Sequence, residues 1–419
     1  MRDVREKPGV KSMLPRVTRR NLALISVLIL AASSLTGCLT QTGAQAPDTI
    51  KVGAVVPLTG RYGSLGEQVR NGYEFAVDAI NRDGGVNVRQ FGKKIPLELR
   101  LLDDESDPTK TVQRQESLAA ENIVAYLGGA GSDLHAAAAP IAEKNKTPYL
   151  GIAFALYSIH QQRLKYLFSP FPKSPALAKM TFDMMDSLNP KPTRVAIFAE
   201  RTDWGAELKD LWKKEAQPRG YQIVADEEYA PGSQDFSSQI LNARNNGAQA
   251  LLSLPTPPDG MAIMRQLKEL DANIGFHFMI RAPDGSVWAQ NLQRDGDYVI
   301  QAPGWSTDLK FQGVAEVLQA HQAKYNKPAD ALVGVAYSCI QILANAIERA
   351  GRLDKDAIRD NIASTDMTTV DGPVKFNPDG TGQVIGVANQ WQNGRQVLVW
   401  PREQAVGQIQ YPAPNWSAR

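Results

Sequence analysis

Cysteine is almost missing from this chain, with only Cys38 and Cys339 in 419 residues. That excludes a disulfide framework and a thiolate metal cluster, so stability must come from packing. Histidine is scarce too, and His135, His160, His277 and His321 stand apart without the paired spacing of a metal site. No charge of one sign prevails: 46 basic against 44 acidic residues leave +2, which gives nucleic acid nothing to grip. No P-loop and no Gly-x-Ser-x-Gly elbow occurs. The stretch Gly129-Ala130-Gly131-Ser132-Asp133-Leu134 starts like a dinucleotide loop but lacks the third glycine and follows a later strand. The acidic run Asp103-Asp104-Glu105-Ser106-Asp107 is explained by capping and the helix dipole before any metal is invoked. The expectation is a protein with no catalytic residue, no cofactor and no metal.

The N-terminal apolar run, 22–32, is shorter than the ~20 residues a membrane span needs. It follows a basic segment with Arg16, Arg19 and Arg20 and ends at Leu35-Thr36-Gly37-Cys38, the order of a secretory leader with small residues before a lipid-accepting thiol. We read 1–37 as a lipoprotein signal peptide, Cys38 as the lipidation site and 38–48 as a flexible tether. An ordinary cleaved leader is the alternative, and Arg19-Arg20 leaves twin-arginine export open. Removing 37 residues from 419 leaves 382, enough for two domains. Those 37 hold seven basic and two acidic residues, so taking +5 from +2 leaves −3. Cys339, inside the apolar stretch 333–346, reads as a small buried hydrophobe.

From Thr49 onward short apolar strands alternate with amphipathic helices. Strands are expected at 50–56, 95–102, 123–127 and 149–152, with helices at 65–81, 108–121 and 133–144. The rhythm restarts with strands at 194–199, 222–229, 250–254 and 276–280 and helices at 206–217, 236–245 and 260–270. Val69, Tyr73, Ala76, Val77 and Ile80 form one helical stripe, and Asp107-Pro108 is a cap with a first-turn proline. Such alternation predicts right-handed βαβ units and parallel sheets covered on both faces, an α/β fold. Three prolines in 168–175 forbid helix there and mark a boundary. A second crossing is expected near 301–304, before helices at 309–325 and 330–350. Near the C-terminus, 374–376, 383–390 and 397–399 look like antiparallel strands.

In open parallel sheets ligands bind beyond the carboxyl ends of the strands. The loops there are 57–63, 128–133 and 151–155 in the first half, and 200–205, 255–259 and 281–285 in the second. Glycines with Ser132 suit capture of a carboxylate, while Trp204 offers an aromatic surface and Asp284 an acid. Each has a plainer alternative: Ser132 or Asp133 as an N-cap, Trp204 as core packing, Asp284 as a turn residue.

At these residues the chain resembles the type I periplasmic substrate-binding proteins of branched-chain amino-acid ABC importers, the leucine/isoleucine/valine-binding family. The likeness covers about 50–400. It is carried by Ile50-Lys51-Val52-Gly53 with Pro57-Leu58-Thr59-Gly60 and Tyr62-Gly63, by Ala79-Ile80-Asn81 with Gly84-Gly85, and by Asp103-Asp104 with Asp107-Pro108. Asp203-Trp204-Gly205, Asp235-Phe236 and Gly372-Pro373-Val374-Lys375-Phe376 with Asp379-Gly380 extend it. The resemblance implies two Rossmann-like lobes with parallel sheets, joined by a three-strand hinge and closing on ligand. By motif position it implies Ser132 as the ligand-carboxylate serine, Ala153 as a backbone contact, Tyr62 and Trp204 as aromatic walls, and Asp284 near the acidic partner of a ligand ammonium. Phe154, Ala155 and Thr256 complete the candidate ligand-binding set. Ala155 replaces a usual Thr or Ser hydroxyl, Thr256 replaces a frequent aromatic, and Ser106 and Gly131 stand where some members have a disulfide pair.

The expected domains are an N-terminal lobe, 49–170, completed by about 302–383, and a C-terminal lobe, 171–301, completed by about 384–405, with a tail at 406–419. The expected function is an extracytoplasmic, lipid-anchored solute-binding protein. It would deliver a small polar ligand (amino acid, amide or small carboxylic acid) to ABC permease subunits and touch no nucleic acid. A ligand sensor on the same fold is one alternative, and a secreted α/β enzyme is another.

Overall fold

The computed structural model describes Gly9 and residues 45–419. The leader 1–37, Cys38 and most of the tether therefore lie outside the described residues. Residues 47–419 form one unit built on two large sheets, with a three-stranded and a two-stranded sheet beside them.

In the first sheet the strands Leu97–Asp103, Ile50–Val56, Tyr126–Leu127, Tyr149–Leu150 and Leu167–Phe168 lie side by side, all parallel. Ile50–Val56 is almost wholly buried, as helices on both faces of a parallel sheet require. The second sheet orders Arg395–Trp400, Ala388–Gln392, Val299–Gln301, Phe276–Met279, Ala250–Ser253, Arg194–Glu200 and Gln222–Tyr229. The last five of these are parallel, and the two C-terminal strands join antiparallel.

The chain crosses between the sheets three times. It leaves the first sheet after Phe168 for the helix Ser174–Asp186, which packs on Asp203–Ala216. It returns after Gln301 to Val314–Tyr325 and Ala331–Ala350, and crosses again between Gly382–Gln383 and Ala388–Gln392. Three expectations are corrected here. The proline-rich stretch does not exclude helix throughout, because Pro175 sits in the first turn of Ser174–Asp186, where no N–H is needed. The single strand expected at 383–390 is two, one paired with Gly372–Phe376 and one in the far sheet, with the crossing between them. The helix expected from 309 begins at Val314, since Gly313 is left-handed at φ 91°.

Ala331–Ala350 is long and apolar enough by composition to span a membrane, yet it lies against Gly63–Arg82 in the core. The two helices touch at Gly72, where a Cβ would stand 2.3 Å from the Val333 carbonyl oxygen. The tail is tied down: Ala413 N–H donates to Gly275 O at 2.8 Å and the buried Trp416 indole donates to Ala272 O at 2.9 Å.

Candidate functional site

The loops that follow the parallel strands converge on a cleft between the two sheets. Ser132 opens the helix Ser132–Lys144, directly after Tyr126–Leu127 and the glycine loop. Tyr62 follows Ile50–Val56, Ala153 to Ala155 follow Tyr149–Leu150, Trp204 follows Arg194–Glu200, and Asp284 follows Phe276–Met279. A larger and a smaller narrow space adjoin there, and they share Ser132, Trp204 and Arg281 as walls. The larger is lined mainly by apolar groups, among them Leu65, Phe154, Ile280 and Leu332, with Phe171 and Ala302 from two of the crossings. Asp284, Ala153 and Ala155 also face it. Tyr62 borders the smaller space together with Asp133, Glu200 and Asp203.

Ser132 does not cap its helix. Its Oγ accepts the N–H groups of Ala155 at 3.3 Å and Leu156 at 3.4 Å, which leaves its own proton free to donate. Thr256 lines neither space; its buried hydroxyl caps the helix Pro257–Glu269 by accepting the Asp259 N–H at 3.5 Å. Three buried polar atoms on the walls have no hydrogen-bond partner among the described residues: Asp284 Oδ1 and Trp204 Nε1 on the first space, and Glu200 Oε1 on the second. Burial pushes the Asp284 carboxyl well above the ordinary carboxylate range, against the lowering influence of Arg281. An orphaned buried donor and acceptor are costly to a protein unless a ligand satisfies them.

Arg281 is the residue that sequence reading missed. Its Nη2 donates to Glu200 Oε2 at 2.9 Å and Leu254 O at 2.6 Å, its Nε to Pro255 O at 3.2 Å, and its Nη1 to the Tyr62 hydroxyl at 3.2 Å. The guanidinium carbon lies 5.2 Å from the Trp204 ring and 5.3 Å from that of Tyr62. Burial works to lower its pKa, but Glu200 and Tyr62 outweigh it and hold the guanidinium charged. The backbone sits at φ 82°, a strain of about 1–3 kcal/mol that this network supports. Tyr62 in turn donates to Asp133 Oδ1 at 3.1 Å, and Arg61 pairs with both Asp133 and, at 3.8 Å, Glu200. The loop 281–285 could be singled out from sequence, but a buried arginine is recognised only when its carboxylate partner 81 residues away is in view.

The acidic run 103–107 is occupied by local structure. Asp103 accepts Leu58, Thr59 and Glu105 N–H groups, and Asp107 caps the helix Pro108–Ala119. No group of metal-ligating side chains occurs among the described residues.

The profile of the periplasmic binding protein family matches residues 49–392. The chain is 24% identical over 385 residues to a Leu/Ile/Val-binding protein homolog of Brucella abortus, covering 86% of this chain and 93% of that one. Its fold is similar to a leucine-binding protein of Thermotoga maritima, with TM-score 0.75 and 22% identity over 84% of this chain and 97% of the other. It is also similar to a solute-binding protein of R. palustris in complex with benzoate, with TM-score 0.73 and 19% identity over 84% and 95%. A profile that spans the two lobes and all three crossings leaves one conclusion, that the chain belongs to the periplasmic binding protein family.

Proposed function

We propose that this chain is the extracytoplasmic binding component of an ABC importer, which captures a small ligand between its lobes and hands it to permease subunits without chemistry of its own. The observation that carries the reading is the pair of orphaned polar atoms, Asp284 Oδ1 and Trp204 Nε1, on the walls of a largely apolar cleft. Ser132 supplies a hydroxyl donor beside them, and Tyr62 walls the adjoining space. Residues 49–170 with 302–383 make one lobe in this reading, and 171–301 with 384–405 the other. The ligand is an amino acid, an amide or a small carboxylic acid. Relatives named for leucine and a fold neighbour holding benzoate support that range. Ala155 offers a methyl where an amino-acid head group would want a hydroxyl, so leucine, isoleucine and valine are expected to bind weakly. Anchoring is through lipid on Cys38.

Calorimetric titration with branched-chain amino acids, amides and benzoate tests the reading. Saturable one-to-one binding that weakens about tenfold or more in Ser132→Ala is expected, since the lost bond and two freed N–H groups are each worth about 1 kcal/mol or more. Submicromolar leucine binding would overturn the specificity, and full affinity in Ser132→Ala would overturn the anchor. Labelled fatty acid still entering Cys38→Ala would remove the lipid site.

A further inference from the structure

Lys173 lies in the first crossing between the lobes and is buried, which is unusual for an ammonium. Its Nζ donates to the Phe154 carbonyl and to Ser169 Oγ, both at 2.7 Å, and sits 3.5 Å from the centre of the Phe154 ring. The next residue continues the attachment: Ser174 N–H and Oγ both donate to Ala155 O, at 2.9 and 2.8 Å. Ser169 is itself stitched to the start of the third crossing, donating to Gly380 O and accepting from Gly382 N–H. On the cleft side, Ala155 N–H donates to Ser132 Oγ, and Ala153, in the left-handed region at φ 51°, accepts from Gly131 N–H. The loop 153–155 is therefore held from the cleft by Ser132 and Gly131, and from the hinge by Lys173 and Ser174.

We propose that Lys173 is a positioning residue that ties the ligand-facing loop 153–155 to the hinge, so that seating the loop and setting the angle between the lobes are one event. The inference rests on the cleft being the ligand site. A lysine kept only to fill space would be replaced at lower cost by an apolar side chain of the same length, because desolvating the ammonium opposes folding. Here burial does lower the Lys173 pKa well below the ordinary lysine range, with Glu207 and Asp379 opposing. What the ammonium provides in return is directional: two short hydrogen bonds and a cation–π contact that methionine cannot make.

The test uses the full chain labelled with fluorotryptophan, in the native sequence, Lys173→Met and Ser174→Ala. Trp204 faces the loop across the cleft, whereas Trp416 lies remote on the second sheet. The fluorine resonance of Trp204, identified by its loss in Trp204→Phe, is expected to move in both variants while that of Trp416 stays. Amide hydrogen exchange at 153–157 is expected to accelerate at least tenfold. A folded variant with Trp204 unmoved and native exchange at 153–157 would overturn the proposal, as would a common shift of all tryptophans in Ser174→Ala. If Lys173→Met does not fold, Ser174→Ala decides. No ligand enters these readouts, so failure of the titration above and failure here are distinguishable.

Discussion

Glu207 reaches across the cleft to Tyr157. Its Oε1 accepts the Tyr157 N–H at 2.7 Å, and its Oε2 accepts the Ser158 N–H at 2.9 Å. Glu207 belongs to Asp203–Ala216 beside the second sheet, while Ser158 starts the four-residue helix Ser158–Gln161 on the first. One carboxylate thus satisfies two N–H groups that a helix start leaves without partners, and an opening that parted the lobes would break both bonds. Charge-assisted bonds contribute about 1.5–3 kcal/mol each, a differential stabilisation that favours closure before any ligand contact. Glu207→Ala should make the closed state rarer, enlarge the radius of gyration by small-angle scattering and raise the ligand Kd about tenfold or more. An unchanged radius would show that the contact does not govern closure.

Arg281 and Glu200 form the buried ion pair of the same cleft. Removing only the cation in Arg281→Met leaves the buried Glu200 carboxylate with Arg61 alone, at 3.8 Å, and is expected to destabilise by about 3–5 kcal/mol in urea unfolding. Arg281→Met with Glu200→Met removes both charges and should recover much of that loss. A double variant no better than the single would refute the pair as the source.

Gly72 sets two opposing effects against each other. Alanine gains about 1 kcal/mol of helix propensity over glycine. Its Cβ, however, would stand 2.3 Å from the Val333 carbonyl oxygen and 2.6 Å from the Ala336 Cβ, so Gly63–Arg82 and Ala331–Ala350 must part. Overpacking of this kind costs about 1–3 kcal/mol, and the backbone contact puts Gly72→Ala at the upper end. A lowered urea midpoint is expected; an unchanged or raised one would mean that the helices separate freely.

The alternation of strands and helices was legible because it depends on periodicity within each segment: Ile50–Val56 and Gln222–Tyr229 fall where their apolar pattern places them. Loops at strand ends were legible for the same reason, which is how Ser132, Trp204 and Asp284 were singled out, and all three line the cleft. What was not legible depends on partners distant in sequence. Arg281 looks like a turn cation until Glu200 and Tyr62 are beside it, and Lys173 looks like a surface lysine in a proline-rich linker until the Phe154 carbonyl is above it. The split of 383–390 was hidden likewise, since a strand that changes sheets keeps a continuous apolar pattern.

His277 lies in the centre of the second sheet, fully buried, with neither ring nitrogen in a side-chain hydrogen bond among the described residues. Burial, with a contribution from Arg419, lowers its pKa to about 3. Because the folded value is below the unfolded 6.5, the unfolded chain binds the proton first as pH falls, so His277 lowers stability below pH 6.5. At pH 5 this amounts to about 2 kcal/mol relative to pH 8, from 1.36 kcal/mol per pH unit. His277→Leu should therefore lose less stability than the native chain between pH 8 and 5. Parallel losses in the two proteins would show that His277 is not the group responsible.

Asp284 carries the opposite sign. Its folded pKa lies above its unfolded value, so its contribution to stability is complete below the unfolded value and is lost as pH rises toward the folded one. Asp284→Asn keeps the shape without a group that titrates, so the native chain should lose stability relative to this variant as pH rises from about 4 to about 7. A carboxylate retained at such a cost is consistent with a ligand that brings a cation to it. The two readouts then separate: for a probe with an ammonium, such as leucine, Asp284→Asn lowers affinity while removing that pH dependence, whereas for benzoate, which has no cation, affinity holds or improves. Binding of amine-bearing and amine-free probes that changes equally in Asp284→Asn would show that the carboxylate takes no part in reading ligand charge.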